Sequence, residues 1–286
     1  MRNRVQRERL ARIVRSAAVS AVVLVVSAST SRAAVITVTT TADDLIPNDG
    51  SVSLREAITA INAGNDLGDP DITAQNPGTF GTSNTIQFNI AAGGVQTINV
   101  GTDASAAGIP LPTISKPVVI NGYTQGGASL NTLARGDNAV LLIQLNGASA
   151  GVGANGLDLG IGSGGSIVRG LVINRFSANG IAIESDGNTV VGNFIGTDTT
   201  GNAPGPGNAG DGILIQGANG TTIGTPAKVV GDRNVIAHNG VDGVEILRQV
   251  NDVEGNILGC EGVRKIANPL RDVVRGNPAG HGRCHP

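Results

Sequence analysis

The chain has 286 residues and a formal net charge of −2, and it contains 43 glycines, four phenylalanines, one tyrosine and no tryptophan. This composition rules out a large aromatic core and an aromatic platform for sugar rings. Seven of the 20 basic residues and one of the 22 acidic residues lie in the first 33, so the rest of the chain has 13 basic and 21 acidic residues. That acidic balance argues against nucleic acid as a partner.

Residues 1–33 have the pattern of a secretory signal peptide. Six arginines precede an apolar segment from Ala17 to Ala28, and Ser31 and Ala33 are small residues suited to cleavage before Ala34. The apolar run is too short for a membrane-spanning helix, which needs about 20 residues. We therefore predict a secreted or cell-surface protein with no transmembrane segment in the mature chain. The mode of attachment stays open.

Residues 34–83 are predicted to form a strand, a short helix and a loop. The strand is β-branched from Ala34 to Thr41. Further on, the apolar residues recur at helical spacing and predict a helix over about residues 53–62, in which Ser53 and Glu56 form a capping box. We expect this helix to cover the open first coil of the repeats that follow.

The segment Ser53–Ile58 reads SLREAI and resembles the CSLREA motif of exported bacterial proteins, which are right-handed parallel β-helices related in fold to pectin lyases. The resemblance covers about residues 36–259 and implies the same fold and export. The cysteine of the motif is replaced by Val52 or Ser53, depending on the register. Segments that resemble those of the same family also occur at residues 36–43, 84–89, 111–120 and 192–198.

The loop after the helix carries the carboxylates Asp66, Asp69 and Asp71. These side chains could bind Ca²⁺ through their oxygens. Their spacing matches no known loop motif, so a solvated loop is the favoured interpretation. No metal or cofactor is predicted.

Residues 84–259 contain short apolar words that recur along the chain. Ser166–Ile173 aligns with Asn188–Ile195 and with Asn251–Leu258, and Asn/Asp-Gly turns at Gly180, Gly212 and Gly243 each precede an apolar triplet. Such recurrence is typical of a solenoid. The runs are too short, too β-branched and too often broken by glycine for a helical solenoid. We therefore predict an all-β fold, a right-handed parallel β-helix over residues 84–259 with a short N-terminal capping helix.

Two insertions interrupt the repeats, Thr197–Asn208 and Thr225–Arg233. Insertions of a solenoid usually emerge on one face, which is often the binding face. These loops are therefore the predicted binding elements.

The polar residues of the repeats are predicted to occupy turns and not to act as catalytic groups. Asp211 and Asp242 head equivalent turns, but Asn179 occupies the same place, which favours a corner ladder over a catalytic pair. His238 is predicted to be a solvated turn residue. No catalytic, cofactor-binding or metal-binding residue is predicted. Two further aspartates are placed in turns and three arginines are expected to shield outer faces: Asp186, Asp198, Arg169, Arg175 and Arg233.

The tail at residues 260–286 differs from the repeats. It holds five basic and two acidic residues, and both cysteines of the chain, Cys260 and Cys284. The alternatives are a truncated or frame-shifted end and a natural basic tail. Either one leaves the last coil without an evident cap.

Together these patterns predict an exported, non-catalytic monomer that displays loops for binding, adhesion or scaffolding. Its partner would be a carbohydrate or a surface protein. A polysaccharide lyase or glycoside hydrolase acting on an acidic polysaccharide is the alternative, because fold does not determine function. A fragment of a longer surface protein is a third interpretation.

Overall fold

The computed structural model describes residues 33–81, 83–103, 106–202, 206–225, 229–247, 251–259, 263–266 and 273–275, the last two by their backbone alone. The predicted signal peptide, except for Ala33, and both cysteines therefore lie outside the described residues. No helix in the described ranges is both long enough and apolar enough to cross a membrane.

The described strands pair in parallel and form three sheets. The first sheet contains β1, β2, β4, β7, β10, β13, β16 and β19, the second contains β3, β5, β8, β11, β14 and β17, and the third contains β6, β9, β12, β15 and β18. The predicted all-β class with parallel strands is confirmed. In chain order the strands are β1 (Val35–Val38), β2 (Asn84–Phe88), β3 (Gln96–Asn99), β4 (Val118–Asn121), β5 (Ile143–Asn146), β6 (Leu157–Leu159), β7 (Ile167–Arg169), β8 (Leu171–Asn174), β9 (Ile181–Ile183), β10 (Thr189–Val191), β11 (Phe194–Ile195), β12 (Ile213–Gln216), β13 (Thr222–Ile223), β14 (Val235–Ile236), β15 (Val244–Leu247), β16 (Asp252–Glu254), β17 (Ile257–Leu258), β18 (Val263–Ile266) and β19 (Val273–Arg275).

From β7 onward the chain visits the first, second and third sheets in rotation, and each such passage is called a coil here. Because the ladders are in register, equivalent side chains of successive coils stack into apolar columns whose members are all buried. Each short strand has too little area to bury its apolar side chains alone, so stacking supplies the core. The column of the first sheet is Ile36, Ile86, Ile120, Val168, Val190, Ile223 and Val253.

The recurrent words of the sequence coincide with this register. Ile181, Ile213 and Val244 pair directly, as the equivalence of the three Asn/Asp-Gly turns predicts. One copy of the repeated segment is not recognisable in the sequence, because the insertion Thr225–Arg233 splits it into β13 and β14. The structure therefore places a further coil between the second and third aligned words.

The helix α1 (Leu54–Ala63) lies where the sequence predicts it. Ser53 and Glu56 form the capping box, and Gly64, in the left-handed conformation with φ of 73°, ends the helix. The apolar face of α1 packs in the same cluster as Ile36 and Ile86. The spacing of its apolar residues gives the helix one apolar face, and this face packs against the first two strands of the first sheet.

The free edge of β1 is also covered. The side-chain amide of Gln75 accepts a hydrogen bond from Thr37 N and donates one to Thr37 O, and Val35 N donates to Pro77 O. An edge strand with unpaired backbone groups is prone to pair with other chains. The segment after α1 removes that hazard at β1.

The loop prediction for residues 66–83 is wrong in part. The segment contains a short helix, α2 (Pro70–Ala74), whose Ile72 is fully buried. Asp69 is its N-cap, and proline at the first helical position favours the start of the helix. A single buried isoleucine is too weak a periodic signal to predict such a helix.

The ladders do not stop at Gly259. Strand β18 pairs with β15 in the third sheet, and β19 pairs with β16 in the first sheet. The basic composition of the tail therefore does not prevent its backbone from extending both sheets.

Candidate functional site

Three excursions flank the outer face of the second sheet. Residues 122–142 and the insertion Thr225–Arg233 join the first sheet to the second, whereas the insertion Thr197–Asn208 joins the second to the third. The two insertions therefore emerge at different corners, not at one. Both insertions flank the outer face of the second sheet, which lies between those two corners.

The outer face of the second sheet carries an apolar column under these excursions. Val172, Phe194 and Val235 are in register and buried, and they cluster with Tyr123 and Leu141 of residues 122–142. Gly201 of the insertion Thr197–Asn208 lies against the same cluster. A Cβ added at Gly201 would come 2.7 Å from the Phe194 ring.

Arg233 fastens the second insertion to residues 122–142. Its guanidinium Nη1 donates to Leu133 O at 3.3 Å and to Gly136 O at 2.6 Å, and Nη2 donates to Ala134 O at 3.1 Å. Its Nε donates to Gly255 O in the next coil. One side chain thus connects two loops that lie about one hundred positions apart in the sequence.

The expected role of Arg233 as a shield of the outer face is wrong, because its side chain is only 4% exposed. Its planar fork suits several carbonyl acceptors at once. Arg175 is exposed, and Arg169 is half-buried with its Nε donating to Asn121 Oδ1. The sequence offers no local signal that separates Arg233 from the other two.

Two further contacts tie residues 122–142 to the second insertion and to a coil. Asn131 Nδ2 donates to Val230 O at 3.0 Å, and the Tyr123 hydroxyl donates to Gly192 O at 2.7 Å. Burial raises the pKa of the Tyr123 phenol, so the hydroxyl stays protonated and remains a donor.

The described parts of these two joined loops, residues 122–142 and 229–233, are named the clamp. The clamp presents apolar side chains that are between 43% and 51% exposed. They lie on both loops: Leu130, Leu133, Val140 and Val229. Exposed apolar side chains gathered on joined loops are typical of an interaction site.

A second polar feature lies at the corner before the third sheet. Asn179 N donates to Asn155 Oδ1, Asp211 N donates to Asn179 Oδ1 at 2.8 Å, and Asp242 N donates to Asp211 Oδ1 at 2.9 Å. Each side chain accepts the backbone N–H of the next coil. This is the predicted corner ladder.

Glu245 approaches this ladder and was not anticipated. Burial raises the pKa of Asp211 to about 6, and the charge of Glu245 and a hydrogen bond to it act in the same direction. Asp211 is 5% exposed. A buried carboxyl whose pKa is raised by a second carboxyl also occurs in acid–base catalysts. This corner, with Asp211, Asp242 and Glu245, is named the acidic corner.

The remaining candidates occupy turns or caps. Asp186 Oδ1 accepts from Asn219 N, Asp198 accepts from Thr200, and His238 is exposed with φ of 64°. The exposure predicted for His238 is thus confirmed.

The carboxylates first considered for Ca²⁺ bind backbone groups instead. Asp69 Oδ1 accepts from Asn48 N and Asp71 N, and Asp71 Oδ2 accepts from Gly50 N. Asp69 is 2% exposed, so the prediction of solvated side chains is wrong for it. Within the described ranges no three acidic, histidine or cysteine side chains are grouped to hold a metal ion.

Comparison of the chain with protein-family models, with curated proteins and with solved structures found no match. The clamp and the acidic corner must therefore be judged by their own chemistry.

Proposed function

We propose that this chain is a right-handed parallel β-helix that acts as an exported, non-catalytic binding scaffold, with the clamp as its binding surface. The rotation of the chain through three parallel sheets supports the helical arrangement. The resemblance of Ser53–Ile58 to the CSLREA motif and the pattern of residues 1–33 support export. The chain would act as a monomer.

The observation that carries the proposal is the set of hydrogen bonds from Arg233. They hold the two loops of the clamp in one arrangement before any partner arrives. A surface ordered in advance loses less conformational entropy on binding. The four apolar side chains of the clamp, without an aromatic platform, favour a surface protein over a carbohydrate as partner.

The test measures binding of the fluorescently labelled full chain to intact bacterial cells and to an array of neutral and acidic glycans. The variant Leu133→Asp/Val229→Asp places two charges on the clamp. We expect cell binding to fall at least tenfold in this variant with no loss of thermal stability. Ile161→Asp is the matched control, because Ile161 is 84% exposed and lies outside the clamp.

Equal binding of the clamp variant and the wild-type chain would contradict the proposal. Binding to glycans that the clamp variant retains would point to a carbohydrate surface elsewhere on the coils.

A glycosidase or lyase is the second candidate, and the approach of the Glu245 carboxyl to the buried Asp211 favours it. The acidic corner would repel an acidic polysaccharide, however, because three carboxyl groups lie there. The assay follows reducing and unsaturated ends released from polygalacturonate and alginate. Release that is lost in both Asp211→Asn and Glu245→Gln would favour the enzyme over the scaffold.

A further inference from the structure

The N-terminal cap, residues 39–75, contains α1, α2 and the turn that precedes them, and it is strongly acidic. Between residues 33 and 81 the sequence has seven acidic residues and a single basic one, Arg55. The guanidinium of Arg55 is already engaged, since Nε and Nη2 donate to both carboxylate oxygens of Asp43 at 2.9 and 2.7 Å. It also donates to the carbonyls of Ile109 and Pro110. Arg55 is therefore committed to Asp43.

Two other carboxyl groups of the cap are buried, and each has one oxygen without a hydrogen-bond partner. Glu56 is 2% exposed, and its Oε2 accepts from Ser53 N at 2.8 Å while its Oε1 has no hydrogen-bond partner. Asp44 is 5% exposed, and its Oδ1 has no partner either. An ionised oxygen that is buried without a partner is strongly destabilising.

The charged groups that act on these two carboxyls are all acidic. Glu56 faces Asp44 in the turn before α1 and Asp69 at the start of α2. Asp44 in turn faces Asp43, Asp49 and Asp103. Burial is the largest cause that raises the pKa of Glu56, to about 7, and it also raises the pKa of Asp44. The charges of these neighbours add to both shifts.

A proton fits this environment better than a divalent cation. No group of three potential metal ligands exists in the part of the chain that the structure describes. Glu56 also lies in the first turn of α1, where the positive end of the helix dipole disfavours a cation. This dipole and the hydrogen bond from Ser53 N favour the ionised carboxylate, but burial outweighs the hydrogen bond and the pKa of Glu56 is raised.

We propose that the N-terminal cap is a proton-dependent latch, held closed when Glu56 carries a proton and loosened when Glu56 and Asp44 are both ionised. This inference is independent of the proposed binding function. It concerns the edge of the first sheet, where Gln75 and Pro77 cover β1. Loosening the cap would expose that edge and the apolar face of α1.

The direction of the pH dependence follows from proton linkage. The closed cap holds a proton on Glu56 up to about pH 7, whereas an open cap releases it near the ordinary glutamate value of 4.5. The closed cap therefore binds more protons than the open cap between these values. The stabilisation is complete at acidic pH and is lost as the pH rises through 7.

The test compares amide hydrogen-exchange protection of α1 at pH 5.5 and pH 8.5, after division by the intrinsic exchange rate. We expect protection of α1 in the full-length protein to fall about tenfold at the higher pH, with little change in the central coils. In Glu56→Gln the amide oxygen still accepts from Ser53 N, and we expect protection to change less than twofold. At pH 8.5 this variant should be better protected than the wild type.

Asp71→Asn is the matched control. It removes one negative charge from the same cap and keeps an oxygen for Gly50 N, so we expect it to retain the wild-type pH dependence. Protection of wild-type α1 that does not change with pH would overturn the proposal, and so would an equal change in Glu56→Gln.

A second measurement stays informative even if Glu56→Gln fails to fold. In a carbon-13 titration of the six glutamate carboxyls of the wild-type chain, the Glu56 signal should have a midpoint near neutral pH. A Glu56 midpoint below pH 5.5 would overturn the latch. Protection restored at pH 8.5 by millimolar Ca²⁺ and removed by a chelator would also overturn it, because a cation would then replace the proton.

Discussion

The coils and the N-terminal cap bury polar side chains in opposite ways. In the coils, Asn193 Nδ2 donates to Asn234 Oδ1, and Asn234 Nδ2 donates to Asn256 Oδ1 at 2.8 Å. All three amides are fully buried. In the cap, Arg55 and Asp43 form an ion pair, and Glu56 and Asp44 each keep an oxygen without a partner.

The difference arises from what each group can donate. An amide side chain carries both a donor and an acceptor, so the same residue can stack on itself in every coil. An ionised carboxylate only accepts, so it needs an arginine, a backbone N–H or a proton. The acidic corner is intermediate, because Asp211 takes the place of an asparagine in a ladder and burial raises its pKa. Repetition therefore favours amides, and single sites tolerate carboxylates.

The largest expected effect tests the ion pair of the cap. Arg55→Ala leaves Asp43 buried without its cation, and we expect it to lower the free energy of unfolding by about 3–5 kcal/mol. Urea denaturation measures the change. The double variant Asp43→Asn/Arg55→Met, which removes both charges, should recover more than half of the loss. A loss below about 1 kcal/mol in Arg55→Ala would show that the pair is dispensable.

A smaller effect is expected from breaking an amide ladder. Asn234→Ala removes the acceptor of Asn193 N and the donor to Val190 O, and we expect a loss of about 2 kcal/mol. Asn234→Asp should lose at least as much, because a carboxylate cannot donate to Val190 O. Asn202→Ala, at an exposed loop amide, is the control for urea denaturation. If Asn234→Asp were as stable as the wild type, the contrast between amides and carboxylates would be wrong.

The smallest expected effect concerns Asp211 in the acidic corner. Because the pKa of Asp211 is raised to about 6, its contribution to stability is present in acid and is lost as the pH rises through 6. Asp211→Asn should remove this dependence and raise the free energy of unfolding by about 1 kcal/mol at pH 7.5. Thermal denaturation between pH 5 and 7.5 measures it, with the exposed Asp186→Asn as control. An unchanged pH slope in Asp211→Asn would show that Asp211 is not the group whose titration changes the stability.

Local and periodic features were predictable. Helix α1 follows from interactions within one or two turns, namely the capping box of Ser53 and Glu56 and the left-handed Gly64. The strands of the coils follow from words that recur, since equal words must occupy equal positions in a parallel ladder. The copy split by Thr225–Arg233 was missed because the insertion hides the recurrence.

The candidate sites were less predictable. The clamp depends on Arg233, whose carbonyl acceptors lie about one hundred positions earlier in the chain. The acidic corner depends on Glu245, which faces Asp211 from the next coil. Neither pairing leaves a motif, because nothing in a run of neighbouring residues records which coil packs over which.

By itself the sequence determined the all-β class, the position of α1 and the turns at Gly180, Gly212 and Gly243, because side-chain sterics, helix capping and repetition act over short distances. Only the tertiary structure decided which polar groups lose their water. Arg233 is buried within the clamp, and Glu56 and Asp44 are buried in the cap with one oxygen each that has no hydrogen-bond partner. Desolvation depends on everything that packs around a group, and that is a property of the folded chain.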